Sequence, residues 1–369
     1  MTKKIGWDCP AIKHGLAIFP NGKIGPCYQI KTSYLKPISE INNPERFDDL
    51  ITLPAPSACH NCVAMEVEIG YSLRKKFMSH MTHSEGIQFL DMRNTNLCNL
   101  KCRYCTPYFS DKWGEELGYE VSLNHQDIQQ YKDIILTESL HWLYFTGGEP
   151  FMSKDHWDLL EELIARGFAK NVDLQYSTNM TMMKYKDKDI LSLWREFKSV
   201  DIRCSIDAMG EPLSYIRSGA DWNVIQKNLE TLIEFGQEKK IMITIAPVIS
   251  LLSIWFLADF FKYTKEKNLK VQAILLRGPD FLSLSAIPDE YKELALSKVA
   301  ELRELGFDET DLKRFEEKIN DNKHKDLFKQ TMAHILLLDK TRNEKLFDIL
   351  PFQALAIENI AGTSEYDYD

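Results

Sequence analysis

Short apolar runs alternate with amphipathic stretches through the middle of the chain. The runs have the length and composition of buried strands. They occupy residues 87–95, 141–146, 172–178, 200–207, 241–249 and 269–277. Between them, apolar residues recur at helical spacing, for example over 157–166 and 222–235, and both of these stretches stop before a glycine. Six strands separated by helices predict parallel pairing with right-handed crossovers, and six are too few to close an eight-stranded barrel. We therefore expect a curved sheet or an incomplete barrel.

The segments on either side of this alternating region differ from it. Near the N-terminus, Asn21 and Gly22 predict the tight turn of a hairpin within 15–27, because both residue types tolerate a positive φ. Towards the C-terminus, apolar residues at helical spacing over 289–305 predict a helix. We expect three regions from these differences. They are 1–82, 83–285 and a helical region with an acidic tail at 286–369.

Composition and charge narrow the classes of function. The 369 residues carry a formal net charge of -9, and such an acidic balance disfavours non-specific binding to nucleic acid or to an anionic membrane surface. No apolar stretch reaches the roughly 20 residues that a membrane-spanning helix needs. The N-terminus lacks the apolar core of a secretion signal. We therefore expect a cytoplasmic protein without a nucleic-acid or membrane partner.

Cysteines are concentrated near the N-terminus, where seven of the eight lie within the first 105 residues. Such clustering favours a metal or redox role over general packing. Three of them, Cys98, Cys102 and Cys105, follow the first predicted strand in the order Cys-x3-Cys-x2-Cys. A [4Fe–4S] cluster held by three cysteines leaves one iron open to a small molecule. A zinc ion completed by a distant histidine or cysteine is the alternative for these three residues alone.

A second motif makes the chain resemble the radical S-adenosylmethionine (SAM) superfamily. The second predicted strand ends in Gly147-Gly148-Glu149-Pro150, which is similar to the family's Gly-Gly-Glu-Pro motif and follows the cysteine loop by about 40 residues. The resemblance implies an α/β fold built on a partial (β/α)6 radical SAM barrel. It also implies that the glycines let the backbone approach the ligand and that Glu149 holds the ammonium group of SAM.

Further positions carry the same resemblance. Tyr104 stands where the family commonly places an aromatic residue beside adenine. The third strand ends in Ser177, Thr178 and Asn179, but methionine replaces the glycine that usually comes next. The fourth strand ends in Ser205-Ile-Asp207 and is followed by Arg217. The resemblance implies that these residues hold the ribose and carboxylate of SAM. A Ser/Asp turn and a surface arginine are the alternative for the fourth-strand group.

What the family does can be stated as an expectation. One electron, from a donor such as flavodoxin or ferredoxin, would cleave SAM to methionine and a 5′-deoxyadenosyl radical. The radical would abstract hydrogen from an unidentified substrate, with a small molecule slightly favoured over a peptide. A redox-neutral epimerase and a metal-binding protein without catalysis are the alternatives.

A separate group of four cysteines, Cys9, Cys27, Cys59 and Cys62, lies in the N-terminal region. Four cysteines can hold either Zn²⁺ or an iron–sulfur cluster, and spacing does not decide between them. Their arrangement resembles the first half of a SPASM domain, or its shortened form, the twitch domain. This implies a second, auxiliary [4Fe–4S] cluster and favours an oxidoreductase that carries out a net oxidation or bond formation. In most relatives this domain follows the barrel, whereas here it precedes it.

Three charged residues interrupt the predicted strands. Asp91 and Arg93 in the first strand and Arg203 in the fourth alternate with apolar residues. Charges within strands are costly unless they are paired or line a wet cavity. We expect all three to face the barrel interior and contact substrate, with surface or structural ion pairs as the alternative.

Overall fold

One sheet of nine strands organises the fold. The computed structural model describes residues 9–52, 55–81, 85–118, 128–238, 241–345 and 349–351. In chain order the strands of the sheet are β1 (Gly15–Ile18), β2 (Lys23–Gly25), β3 (Lys36–Pro37), β4 (Phe89–Met92), β5 (Trp142–Phe145), β6 (Asp173–Thr178), β7 (Ser199–Cys204), β8 (Ile241–Ile245) and β9 (Lys270–Val271). Their order across the sheet is β9-β8-β7-β6-β5-β4-β1-β2-β3. All neighbours from β9 to β1 are parallel, whereas β2 pairs antiparallel with β1 and β3.

The six predicted strands are β4 to β9, so the expected α/β partial barrel is confirmed. All six are shorter than predicted, and the difference is largest for β4, β8 and β9. After β8, Pro247 interrupts the ladder because proline has no backbone N–H to donate. A second short strand, Val248–Ile249, then pairs in parallel with Ile274–Leu275.

The N-terminal hairpin belongs to the same sheet. β1 and β2 pair through the turn predicted at Asn21 and Gly22, and Gly22 has a φ of 69°. β1 also pairs in parallel with β4, with Gly15 opposite Phe89. The residues before 82 therefore extend the sheet of the central region. A domain boundary at this point stays a prediction, and the acidic tail lies outside the described residues.

Helices cover one face of the sheet and the region after it. Within the described residues they are α1 (Ala11–His14), α2 (Asp49–Thr52), α3 (Ala55–Ile69), α4 (Leu73–His80), α5 (Asp111–Leu117), α6 (Lys132–Ile135), α7 (Lys154–Ala165), α8 (Ile190–Trp194), α9 (Gly210–Ile216), α10 (Trp222–Glu238), α11 (Leu257–Glu266), α12 (Asp289–Glu304), α13 (Glu309–Asn320) and α14 (Phe328–Arg342). The helix predicted over 289–305 is α12. In the part of the chain that the structure describes, no helix is long and apolar enough to cross a membrane.

The two faces of the sheet differ in polarity. On the outer face, His156 of α7 lies edge-on to Phe145 with ring centroids 4.5 Å apart, and Trp194 of α8 contacts Tyr176 at 5.3 Å. We call the opposite face the inner face. Across β4 to β8 one row of the inner face consists of residues that are directly opposite one another in the ladder: Asp91, Tyr144, Gln175, Asp201 and Met242. The next row includes Ser177, Arg203 and Thr244.

The N-terminal region packs against the start of the inner face. Phe77 of α4 lies with its ring centroid 4.9 Å from that of Phe89 and 5.5 Å from that of Trp142. Burial of such aromatic side chains contributes strongly to packing. This contact fixes α4, and with it the N-terminal cysteines, beside the barrel interior.

Candidate functional site

A cavity of about 460 Å³ opens at the carboxyl ends of the parallel strands. Ligands of open parallel sheets commonly bind at this edge. The walls bring together both sequence motifs, because they include Cys98, Cys102 and Cys105 as well as Gly148 and Glu149. Groups that are well separated in the chain therefore face one space.

The cysteine loop is held by backbone hydrogen bonds. The Cys98 N–H donates to Asp111 Oδ1 at 2.8 Å, and the Cys105 N–H donates to the Cys102 carbonyl at 2.9 Å. Burial raises the pKa of all three thiols, that of Cys105 to about 12, and the charge of Cys102 raises the pKa of both its neighbours. The three thiols are therefore close enough to interact, and a bound cation would favour their ionised form.

These three thiols offer donors that an iron–sulfur cluster or a zinc ion could use. One zinc ion needs its ligands at a common short distance. A [4Fe–4S] cluster places each thiolate on a different iron and so keeps the sulfur atoms further apart. Three thiols at the wall of an open cavity therefore fit a cluster with a free iron.

The glycine pair packs the second motif onto the cysteine loop. A Cβ on Gly148 would lie 2.1 Å from the Leu97 carbonyl oxygen, and Gly147 has a φ of 108°. Only glycine fits such an approach of two backbones. The Glu149 N–H then donates to the Leu97 carbonyl at 2.7 Å. The close approach is thus to the loop that bears Cys98, whereas the sequence suggested an approach to the ligand.

Glu149 is fixed and nearly fully enclosed, with 1% of its surface exposed. Its carboxylate accepts hydrogen bonds from the Thr178 hydroxyl at 2.7 Å, the Asn179 N–H at 2.8 Å and the Phe151 N–H at 3.3 Å. Burial raises the pKa of Glu149 to about 7, although these bonds oppose the shift. A cationic group in the cavity would favour the ionised carboxylate. Pro150 begins a short 3-10 turn that positions this side chain.

The carboxylate oxygens of Asp207 already accept hydrogen bonds from other residues of the protein. Arg217 donates to its two oxygens at 2.8 and 3.0 Å, the Tyr104 hydroxyl donates at 2.5 Å and the Val248 N–H donates at 2.8 Å. Arg217 also places Nη1 3.8 Å from Cys102 Sγ. Arg217 is buried, which excludes the alternative of a surface arginine. Asp207 therefore orients two cavity-lining residues, Arg217 and Tyr104.

The carboxyl ends of β6 and β7 supply the remaining polar wall. Ser177, Asn179 and Ser205 line the cavity, and the Asn179 side chain donates to Asn99 in the cysteine loop at 3.0 Å. Met180 occupies the position where the family usually has glycine, and its φ is 60°. The left-handed backbone conformation is thus present although the residue is not glycine.

The part of the chain that forms this site is similar to known proteins. Residues 93–261, which contain both motifs, match the model of the Radical SAM superfamily. The chain contains a radical SAM domain. In this family the cysteine loop holds a [4Fe–4S] cluster that binds SAM, and the donor set described above fits both groups. The opposite charges of Glu149 and Arg217 suit the ammonium and carboxylate of an amino-acid moiety.

Individual relatives are distant. The chain is 25% identical to the GTP 3′,8-cyclase of Campylobacter lari over 36% of this chain and 39% of the relative. It is 24% identical to the GTP 3′,8-cyclase of Campylobacter fetus subsp. fetus over 52% and 56%. The chain thus spans about half the length of the curated relatives it matches. Native anSMEcpe with bound AdoMet is a similar solved structure, with 20% identity, a TM-score of 0.43 and 59% of each chain covered.

The four N-terminal cysteines come together. Burial raises the pKa of Cys9 to about 12 and that of Cys27 well above its ordinary value. The charges of other cysteines of the group raise both pKa values further. The helix α3 departs from helical geometry at Cys59, with a φ of -114°. His60 is exposed. Cys27 and Cys62 are buried, whereas Cys9 and Cys59 are half-buried.

The structure places Asp91, Arg93 and Arg203 on the inner face, where the first two form an ion pair and the third does not. Arg93 donates to both oxygens of the fully buried Asp91, at 3.0 and 2.8 Å, and lines the cavity. Its guanidinium also lies 5.1 Å from the centre of the Tyr28 ring. Arg203, in contrast, forms no side-chain hydrogen bond or ion pair with any residue that the structure describes.

A group of ion pairs behind the cysteine loop was not predicted from the sequence. Arg103 is fully buried and donates to Asp339 of α14 at 2.6 Å and to Glu344 at 2.5 Å. Arg342 of α14 donates to Glu116 at 3.0 Å on the same side. A buried charge requires such partners. The arginine inside the cysteine motif was the only signal, and nothing in the sequence located its partners.

Proposed function

We propose that this protein is an enzyme that reductively cleaves SAM and abstracts hydrogen from a substrate. The observation that carries the proposal is the single cavity that joins the three-cysteine loop to Glu149. When bound, the cluster and SAM supply one-electron cleavage of a carbon–sulfur bond and a carbon radical. The protein contributes positioning, charge complementarity and exclusion of water.

The roles of the protein residues follow from their contacts. Cys98, Cys102 and Cys105 would bind three irons of the cluster. Glu149, oriented by hydrogen bonds from residues after β5 and at the end of β6, would accept the ammonium of SAM. Arg217, fixed by Asp207, presents a permanent positive charge to the same cavity. Because these groups are rigid before the ligand arrives, little is lost in ordering them.

The test is spectroscopic. Protein reconstituted without oxygen and reduced should give the electron paramagnetic resonance signal of a [4Fe–4S] cluster, and added SAM should change it. The Cys98→Ala variant should lose the response to SAM. Cys204→Ala is the matched control, because Cys204 is a buried thiol on β7 that belongs to neither group of cysteines. A reduced cluster in the parent protein that ignores SAM would contradict the proposal.

We further propose an auxiliary [4Fe–4S] cluster at Cys9, Cys27, Cys59 and Cys62. Mutual electrostatic coupling of the thiols supports a common site for the four cysteines. The site lies on a segment that packs against the inner face through Phe77. Such a cluster would accept an electron in a net oxidation or bond formation. A redox-neutral epimerisation would not require that electron to leave.

We also propose an electron donor, a cellular location and a division of the chain into three regions. We expect the first cluster to receive its electron from a flavodoxin or ferredoxin and the protein to work in the cytoplasm. The regions 1–82, 83–285 and 286–369 are proposed as the auxiliary-cluster region, the radical SAM core and a helical extension. No membrane or nucleic-acid partner is required by this account.

A further inference from the structure

Two cationic side chains on the inner face lie near each other. Arg203 extends from β7, and Lys76 of α4 places its ammonium 4.1 Å from the centre of the Trp142 ring. Burial lowers the pKa of Lys76, the charge of Arg203 lowers it further, and the charge of Asp201 opposes the shift. Among the described residues neither side chain forms an ion pair. Arg93, directly after β4, differs because it forms an ion pair with Asp91.

An unsatisfied carboxylate belongs to the same group. Asp201 lies on β7 two residues before Arg203 and on the same face. Its Oδ1 atom is buried and has no hydrogen-bond partner among the described residues. Burial raises the pKa of Asp201, whereas the charges of Arg203, Lys76 and Lys270 oppose this. The four groups therefore interact electrostatically, yet none of the three cations pairs with the carboxylate.

The inner face is open to solvent beside this group. Met242 of β8 lies opposite Asp201 in the ladder and is 50% exposed. On the other side of Arg203, the ladder continues to Ser177, which lines the SAM cavity. A molecule entering past Met242 would therefore meet Lys76, Asp201 and Arg203 before it reaches the cavity.

Unpaired charges on an inner surface are costly to folding unless a ligand or solvent compensates them. Lys76 and Arg203 exceed the one carboxylate of Asp201 by one positive charge, and the exposed Lys270 of β9 adds to this excess. We propose that Lys76, Asp201 and Arg203 bind the substrate through an oxyanion, a carboxylate or a phosphate, which rests on the proposed function. Arg203 and Lys76 bind the oxyanion, and Asp201 accepts a hydrogen bond from a donor on the same molecule. The rest of the substrate then extends along the inner face towards Ser177.

Anion binding can be measured before the substrate is known. The probes are inorganic phosphate and succinate, titrated into the reconstituted full-length protein at constant ionic strength, with the thermal midpoint as readout. The parent protein should be stabilised by at least one probe, and the better one identifies the class of oxyanion. Arg203→Gln and Lys76→Gln should each raise the dissociation constant about tenfold, as expected for the loss of one charged contact. Lys75→Gln is the matched control, because Lys75 is exposed on the same helix and donates to the Gly70 carbonyl.

The outcomes separate this inference from the proposed function. Equal stabilisation of all four proteins, or no stabilisation of the parent by either probe, would overturn the oxyanion site. Circular dichroism of each variant shows whether it is folded, and phenylglyoxal labelling of Arg203 in the parent gives a second readout. Phosphate or succinate should slow that labelling at Arg203, and an unchanged rate would count against the site. SAM cleavage by the parent protein is measured separately, so its absence would contradict the proposed function alone.

Discussion

Asp207 holds Arg217 by two hydrogen bonds, from Nε at 2.8 Å and from Nη2 at 3.0 Å. The same guanidinium reaches towards Cys102 Sγ, and the same carboxylate accepts the Tyr104 hydroxyl. One buried acid therefore orients a cation and an aromatic side chain on the wall of the SAM cavity. Sequence comparison placed Asp207 among the residues that hold SAM, whereas the structure shows its oxygens engaged by the protein.

Replacing this acid should be costly. Asp207→Asn leaves the Arg217 cation buried without its counter-ion, and breaking a buried pair in this way costs about 3–5 kcal/mol. Thermal or denaturant unfolding measures the loss. Asp173→Asn is the control, because Asp173 pairs with the largely exposed Lys198 and such surface pairs contribute only about 0–1 kcal/mol. Equal losses in the two variants would show that the Asp207 pair has no special role.

The charge of Glu149 should matter for cofactor affinity. Glu149→Gln keeps the shape but removes the negative charge, and a hydrogen bond to a charged group contributes roughly 1.5–3 kcal/mol. We expect SAM to bind about tenfold to a hundredfold more weakly, measured by equilibrium binding to protein with an intact first cluster. Thr178→Val, which removes one hydrogen bond to Glu149, should have a smaller effect. Unchanged affinity in Glu149→Gln would refute the assigned role.

Gly148 should not tolerate a side chain. Gly148→Ala would place a Cβ 2.1 Å from the Leu97 carbonyl oxygen, next to Cys98, and so displace the cysteine loop. We expect a loss of iron from the first cluster, measured as iron per protein after reconstitution. Gly236→Ala is the control, since the nearest atom to its Cβ is the end of the Ile243 side chain at 3.4 Å. Full iron content in Gly148→Ala would contradict this packing argument.

Iron content also tests the auxiliary site. Two cubes require about eight irons per chain, four in each. The double variant Cys59→Ala, Cys62→Ala should lose about half of them and keep the SAM-responsive signal of the first cluster. It should still release 5′-deoxyadenosine with dithionite but form no product. Circular dichroism must accompany the measurement, because a small metal site can be needed for folding. Zinc in protein isolated without oxygen and with a normal iron supply would exclude the auxiliary cluster.

Acid should destabilise the fold through a buried histidine. Burial lowers the pKa of His156 to about 3, so the folded state keeps it neutral while the unfolded state takes up a proton below its ordinary pKa of about 6.5. Stability should therefore fall as the pH drops from 6.5 towards 3, by up to about 1.4 kcal/mol per pH unit for this group. His156→Phe should reduce that slope by this amount in unfolding measurements. It also costs a pH-independent loss of the Tyr176 hydrogen bond. An unchanged slope would mean that His156 does not contribute.

The parallel core was predictable because short, largely apolar strands alternate with amphipathic helices along the chain. The alternation in β4 and β7 also revealed that Asp91, Arg93 and Arg203 share the inner face. β1 was not foreseen as a member of the sheet, since four residues carry too little pattern and its partner β4 lies far along the chain. The predicted boundary after residue 82 did not take the pairing of β1 with β4 into account.

The main features of the candidate site came from motifs, and its supports did not. The contact between Arg103 and Asp339 joins positions 236 residues apart, so no local pattern could indicate it. Met180 shows a different limit. The sequence departs from the family there, but the backbone keeps the φ that glycine usually provides. The residue type at position 180 thus differs from that of the family, whereas the backbone conformation is the one that glycine usually adopts.

Release of 5′-deoxyadenosine tests the central claim most directly. The protein is reconstituted without oxygen, reduced with dithionite and supplied with SAM, and the nucleoside is quantified by chromatography and mass spectrometry. The account predicts release by the parent protein and by Cys204→Ala, and none by the variant in which Cys98, Cys102 and Cys105 are all alanine. Parent protein that holds a reduced first cluster and binds SAM but releases no 5′-deoxyadenosine would contradict it.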